Sequence, residues 1–289
     1  MSAHAGETVS PLFRDATFEE LANITVTTVS KREESVASVS AALTVVTAED
    51  IQRLGAALIP EAMRYVPGLE VAQINAHDWA VSARGFNSRF ANKQLVLEDG
   101  RTIYSPFSGG VYWEAVGPPV AEIEQIEIIR GPGASVWGAN AMNGVINIVT
   151  KSPRHNQGGT VLYSGGTQER QSVYAGYGFQ PGAHTWARVY GEGILAGEAE
   201  LAGGAGAGDG WEAVRGGIRV DHDLSDSSEL MLQAEISSAR LDEAGQYPML
   251  AAPYRLKITE PSHMDQAHLL ARWTRKFAAD AKLTLNGFW

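Results

Sequence analysis

The chain has 289 residues, a formal net charge of −10, 31 glycines and no cysteine. That length allows one or two domains, the acidity argues against a nucleic-acid partner, and the absence of thiols rules out disulfides and thiolate metal sites. No apolar run approaches the ~18 residues of a membrane-crossing helix, so any role in a membrane requires β-strands.

Residues 1–20 are polar and without period and read as a tail. The start, Met1-Ser2-Ala3-His4-Ala5, lacks the basic and apolar regions of a secretory leader, so export would need a processed or different start. Ile24, Thr25, Val26, Thr27, Thr28 and Val29 alternate β-branched residues and run into a charged stretch, residues 30–35. Two readings stay open: an ordinary edge strand, or an extended segment that adds as a strand to a partner's sheet.

Leu43-Thr44-Val45-Val46 reads as a short strand. Thr47 follows as a helix N-cap with Asp50 three residues on, Ile51 and Leu54 as the apolar stripe and Gly55 as the stop. A second short helix begins at Ile59-Pro60 and ends at Pro67-Gly68. Strand, two helices and a strand through Val71 make a compact α+β start.

Residues 73–92 are polar but carry Trp79, Phe86, Arg84 and Arg89. Residues 93–97 read as a strand, and Asp99-Gly100 as a tight turn into residues 101–104. The loop from Tyr104 to Tyr112 and Trp113 is rich in glycine and aromatics, and aromatics on loops held by a sheet are candidate ligand contacts.

The stretch IEQIEIIRGPGASVWGANAMNGVINIVTK, residues 123–151, is the most organised part of the chain. Isoleucines at 123, 126, 128 and 129 give a buried strand, Gly131-Pro132 a turn, residues 134–141 a small-residue segment around Trp137, and residues 145–149 a second β-branched strand. A dinucleotide-binding turn would need glycine where Val136 stands, and a phosphate loop would need lysine after Gly138.

Ile123, Glu124, Ile126, Glu127, Arg130, Gly131, Pro132, Gly138, Ala141, Gly144, Ile146, Asn147, Ile148 and Thr150 resemble, at the same spacing, the end of the plug domain of TonB-dependent outer-membrane receptors. Thr47, Asp50 and Ile51, with the run from Ile59 to Gly68, extend the resemblance back toward residue 20. It continues more weakly to the end of the chain. The resemblance implies a TonB box at Ile24, Thr25, Val26, Thr27, Thr28 and Val29, which would pair with a strand of TonB. It implies apical ligand loops, with Trp79, Arg84, Phe86, Arg89, Tyr104, Tyr112 and Trp113 as the candidates. Arg84 and Arg130 would lock the plug to glutamates on the inner barrel wall; the residues alone allow pairing with Glu98 or Glu127 inside the plug equally well.

After Lys151 the grammar changes to period-two segments of roughly eight to twelve residues parted by Gly, Asp and Ser. In one, Leu230, Leu232, Ala234 and Ile236 alternate with Gln233, Glu235 and Ser237. That suits lipid outside and water inside, and suits a soluble half-solvated sheet equally. Residues 196–209 and 239–265 read as long flexible loops. Room remains for about seven membrane-length strands, whereas enclosing a plug of this size takes about 22.

The fold expected is therefore an α+β plug domain with a small mixed sheet and short helices over residues 36–151. A periplasmic tail with the candidate TonB box, residues 1–35, precedes it. Antiparallel transmembrane β-strands follow over 152–289 as part of an incomplete barrel of about 22 strands, the chain being an N-terminal piece of a receptor. The function expected is TonB-energised uptake of a scarce small ligand, a metal chelate such as a ferric siderophore or a cobalamin-like molecule. It would take place in the Gram-negative outer membrane, in contact with its lipid, with the plug facing the periplasm. No catalytic residue, cofactor or resident metal is expected, because no hydrolase or metalloprotease motif stands out and the seven histidines are scattered. The alternative is a soluble β-rich binding module or adhesin without transport activity.

Overall fold

The computed structural model of the chain describes residues 25–26, 34–35, 41–105, 107–166, 170–278 and 281–289. It holds a mixed α+β body and a seven-stranded antiparallel sheet that curves past it.

The body is built on a five-stranded sheet in the order β3 (Leu43–Thr47), β8 (Ile123–Arg130), β9 (Gly144–Thr150), β6 (Gln94–Glu98), β7 (Arg101–Thr102). Strands β6 and β9 run parallel and the other pairs antiparallel, so the sheet is mixed. Strand β8 inserts isoleucines at 123, 126 and 128 into the core with no exposed surface. Gly144 sits opposite Arg130, and a Cβ there would lie 2.2 Å from the Ile129 carbonyl oxygen. Close backbone approach, not turn geometry, requires that glycine.

Helix α1 (Ala48–Leu54) starts on Thr47, whose hydroxyl accepts from the Asp50 N–H while the Asp50 carboxylate accepts from the Thr47 N–H at 3.0 Å. Gly55 ends it in the left-handed region at φ 62°. Helix α2 (Ile59–Met63) carries Pro60 in its first turn, and the Glu61 carboxylate accepts from the N–H groups of Ala57 and Leu58. A hairpin of β4 (Leu69–Gln73) and β5 (Trp79–Ala83) closes the core beside the helices. Asp99 and Gly100, at φ 45° and 81°, make the left-handed turn between β6 and β7. A four-residue helix α3 (Ala134–Trp137) lies between β8 and β9.

Near the amino end, β1 (Thr25–Val26) pairs antiparallel with β2 (Glu34–Ser35). The Gln125 side-chain amide donates to the Thr25 carbonyl, and Val26 is buried. Ile24, Thr27, Thr28 and Val29 lie outside the described residues.

The large sheet is a meander in chain order: β10 (Gly158–Gly165), β11 (Gln171–Gly182), β12 (Thr185–Ala196), β13 (Trp211–Ser225), β14 (Ser228–Pro248), β15 (Arg255–Ala278) and β16 (Ala281–Phe288). Two-residue turns, 183–184 and 226–227, lie at one end, and the longer connections 197–210 and 249–254 at the other. Residues 239–265, read from the sequence as one flexible loop, are mostly strand, since β14 and β15 stay paired from Ser228–Arg275 to Pro248–Arg255. Beyond Glu243 the hairpin meets solvent on both sides, so its sequence loses the period-two pattern that marks a half-buried strand.

Candidate functional site: the seam between the body and the curved sheet

Register assigns every side chain of the curved sheet to one of two faces. On the outer face lie rows such as Tyr177–Val189–Ile218–Ala234–Leu269 and Phe179–Ala187–Val220–Leu232–Ala271, which are apolar throughout. Facing the body are Tyr174–Glu192–Arg215–Ser237–Gln266 and Tyr190–Gly217–Glu235–His268, polar at nearly every place. A continuous apolar band outside and a polar interior is the pattern of a barrel wall in lipid.

The polar face reaches the body along the whole height of the strands. Toward the short-turn end, Arg219 donates to the carbonyl and hydroxyl of Thr150 at 2.9 and 2.7 Å. Ser152 donates to Asp221 at 2.6 Å, Arg154 pairs with Asp223 at 2.5 Å, and Arg272 donates to the Asp99 carbonyl. Opposite Arg219 in register, Arg188 Nε lies 2.9 Å from both oxygens of Glu122 while its Nη2 donates to Tyr174, whose hydroxyl donates to the same carboxylate. Arg215 donates to the Gly117 carbonyl at 3.0 Å and to Glu192 at 2.6 Å. Ser237 and Gln266 both donate to the Ala115 carbonyl. Glu98, also buried, accepts from Gln233 at 3.0 Å and Arg101 at 2.6 Å. Burial first, and the charge of Glu235 next, push the Glu98 carboxyl up to about 8.

Toward the long-connection end, contact turns partly apolar: Ile194, Ala196, Trp211, Ala213, Ala239 and Leu241 join the core of the body. The Asp209 carboxylate accepts from Ala76 N–H at 2.9 Å, and the Trp211 indole donates to the Ala76 carbonyl at 3.0 Å. His77, fully buried, contacts Asp78 at 3.0 Å through Nδ1 and the Asp242 carbonyl through Nε2. Arg89 reaches Asp78 at 2.6 Å, Glu114 at 3.3 Å and Glu243 at 3.7 Å. Burial raises the Glu114 carboxyl to about 7, assisted by the charge of Asp78. Burial works to lower His77, but the hydrogen bond and charge of Asp78 outweigh it and the imidazole is raised. His77, Asp78 and Glu114 bring ligand atoms within 4.8 Å of one another. The Arg89 guanidinium already supplies the positive charge at that focus.

The residues singled out from the sequence as ligand contacts disperse. Trp79 (1 % exposed) and Trp113 (4 % exposed) are core residues, not surface aromatics; Arg64 lies over the Trp79 ring at 4.9 Å. Phe86 is 71 % exposed, with the Lys93 ammonium 3.5 Å from its ring centre. Tyr112 packs edge-on against Phe90, half-buried, and Tyr104 donates to the Gln94 carbonyl. Arg84 donates to the Arg130 carbonyl at 3.3 Å. Arg130 donates to the Pro67 carbonyl and to Thr44. Among the described residues neither arginine reaches a carboxylate, in the body or in the wall. Ion pairs that do join body and wall are Glu122–Arg188 and Glu61–Arg170, and the sequence reading missed both. The only sequence signal of the first was the charges spaced four residues apart, Arg188 with Glu192 and Arg215 with Arg219, on strands whose other face is apolar.

Residues 35–145 match the TonB-dependent receptor plug domain family. The vitamin B12 transporter of Vibrio vulnificus is 35 % identical over 150 residues, covering 51 % of this chain and 24 % of that protein. That of Vibrio cholerae is 31 % identical over the same length and shares. The chain spans about a quarter of the length of these curated relatives. Among solved structures, the ferripyoverdine receptor of the outer membrane of Pseudomonas aeruginosa superimposes with a TM-score of 0.70 at 17 % identity, covering 91 % of this chain and 36 % of the receptor. The ferric enterobactin receptor of the same organism gives 0.64 at 18 %, with 86 % and 41 % covered.

Proposed function

We propose that this chain, which is the plug domain and part of the barrel wall of a TonB-dependent outer-membrane receptor, serves the uptake of a scarce small ligand across the outer membrane. The ligand class is a ferric siderophore or a cobalamin-like molecule, which the names of the related proteins support: two transport vitamin B12, and two solved neighbours are receptors for ferripyoverdine and ferric enterobactin. The observation that carries the reading is the seam. A stopper held by hydrogen bonds and ion pairs to a polar inner wall is released by exchanging partners with water, whereas an apolar joint would aggregate on opening.

Energy enters at the amino end. Residues 24–29 are the TonB-binding segment, and a pull on them acts first on the Thr25–Val26 pairing with Glu34–Ser35 and on the Gln125 contact beside it. Strand addition to TonB needs those backbone groups, so the hairpin has to open when TonB binds. At the other end, Phe86 and Arg89 with Tyr112 are the ligand-facing set; Trp79 and Trp113 support them from within the core.

A soluble binding module would gain nothing from successive apolar rows on the outward face, and that disfavours the alternative. The test is uptake of radiolabelled cyanocobalamin and of ferric siderophores by cells bearing the protein, with and without TonB, alongside binding of a purified TonB carboxy-terminal domain. Expected are TonB-dependent accumulation and loss of TonB binding in Val26→Pro. Accumulation that ignores TonB, or none with any chelate, overturns the reading.

A further inference from the structure

On the outer face of the barrel wall the apolar band ends between two neighbouring rows. The lower is Tyr163–Val173–Gly193–Val214–Ser238–Asp265 and the upper Gln171–Leu195–Glu212–Arg240–His263. Here a groove of about 490 Å³ opens, walled by Val173, Leu195 and Val214 and ending at Glu212, Arg240 and His263. Its floor is Gly193, and the next row down continues it with Gly191 beside Gly216.

Gly193 and Gly191 differ from the inward glycines, whereas a Cβ at Gly216 would stand 3.1 Å from the Tyr190 carbonyl oxygen. A Cβ at Gly176 would fall 2.2 Å from the Tyr174 hydroxyl, and one at Gly217 would fall 2.5 Å from that of Tyr190, so folded-over tyrosines exclude side chains there. A Cβ at Gly193 meets nothing within 4 Å, and at Gly191 only a carbonyl oxygen at 3.8 Å. Neither has the positive φ that favours glycine. Glycine weakens a strand and marks a place where something approaches the backbone closely; at Gly193 nothing in the described chain does. The polar end is open too. Arg240 is half exposed and its charged contact, Glu212, stands at 3.9 Å, beyond hydrogen-bond reach.

We propose that this groove seats one phosphate-bearing lipid of the outer leaflet. An acyl chain lies over Gly193 and Gly191, and the phosphate is received by Arg240 with His263 beside it. The level fits, because the groove straddles the boundary where the outward side chains turn from apolar to charged, the depth at which a lipid passes from chain to headgroup. The charge fits, because a guanidinium with free N–H donors binds phosphate in a fork. The size fits, because a groove of about 490 Å³ lies within the ~300–1,000 Å³ of small-ligand sites. Placing the groove in the outer leaflet rests on the proposed receptor function, in which the short turns face the periplasm and the long connections the outside.

The test uses the protein extracted from outer membranes in mild detergent, delipidated, and titrated with dioleoyl phosphatidic acid or dioleoyl phosphatidylcholine under native mass spectrometry. Expected is one phosphatidic acid held about tenfold more tightly than phosphatidylcholine. Gly193→Leu, which fills the floor where a side chain has room, and Arg240→Gln with His263→Gln each bring the two lipids level. Equal binding of both lipids, a preference unchanged in the variants, or a mass of two chains in place of a lipid adduct overturns the seat. Because the chain has no cysteine, Arg240→Cys on intact cells reads the orientation separately. Labelling by a membrane-impermeant maleimide is expected, and a preserved lipid preference without labelling overturns the outer-leaflet assignment.

Discussion

Arg188 Nε stands 2.9 Å from both carboxylate oxygens of Glu122, and both side chains are almost wholly out of water. The two come from different units, Glu122 from the turn before β8 and Arg188 from β12, so the pair is a rivet between plug and wall. Removing one partner of such a pair strands a buried charge, at a cost of about 3–5 kcal/mol, whereas replacing both is much milder. Glu122→Ala is therefore expected to lower the urea midpoint of the protein in detergent strongly, and Glu122→Ala with Arg188→Met to recover most of the loss. A double variant as unstable as the sum of its singles would show that the two residues act independently.

Glu98 is expected to behave differently from Glu122. Its folded value, about 8, lies above the ordinary 4.5, so the folded state holds a proton that the unfolded chain has given up. Stability linked to it is then greatest at acid pH, falls as pH rises past about 4.5 and stops falling above about 8. Glu98→Gln keeps the neutral shape, so it should match the parent in acid and be the more stable of the two at neutral pH, because it removes the decline between about pH 4.5 and about pH 8. Unfolding midpoints across that range measure it; a parallel decline in the variant sinks the assignment.

The cluster at the long-connection end carries a second pH dependence. His77 faces Asp78 and the Asp242 carbonyl, and Glu114 shares Arg89 with Asp78 and Glu243. Glu114 is raised to about 7 and His77 is raised above 6.5. A raised His contributes stability that is present below its unfolded value and is lost as pH rises through the folded one. A raised Glu adds a cost over the same direction of pH. Both favour the closed arrangement in acid. Hydrogen exchange at the Ile74 and Ala76 amides, which bond Asp78 and Asp209, should therefore speed up above about pH 7 beyond the intrinsic rate. Glu114→Gln should flatten that change.

Much of the plug was legible because its signals are local. Thr47 and Asp50 cap a helix through their own backbone, and Asp99-Gly100 turns because both residues take positive φ. The isoleucines of β8 are buried as their run suggested. The wall strands were legible where one face is apolar and the other packs on the plug. They became illegible past Glu243, where both faces of the β14–β15 hairpin meet solvent.

The seam was hidden for another reason. Glu122 and Arg188 are 66 residues apart, and nothing in the spacing of either says which charge it will meet. Aromatics misled in the opposite direction: Trp79 sits in a polar stretch of sequence yet is part of a fully buried strand, because β5 pairs with β4 beneath the helices. Local composition reports the average environment of a segment, and a single inward side chain escapes it.

Two glycines of the plug separate crowding from backbone strain. At Gly144 the backbone is ordinary but a Cβ would stand 2.2 Å from the Ile129 oxygen and 2.9 Å from Gln94, so the paired strands β8 and β9 would have to part. Gly144→Ala is expected to cost about 1–3 kcal/mol or more, as overpacking in a core does. At Gly55 a Cβ meets nothing within 4 Å, but φ is 62°, so Gly55→Ala pays only the left-handed penalty of about 1 kcal/mol. Gly55→Asn, which tolerates that region, should cost less still. Urea midpoints for the three variants rank them: Gly144→Ala lowest, Gly55→Ala between, Gly55→Asn nearest to the parent protein. A Gly144→Ala midpoint at or above that of Gly55→Ala means that β8 and β9 do not approach as closely as this register requires.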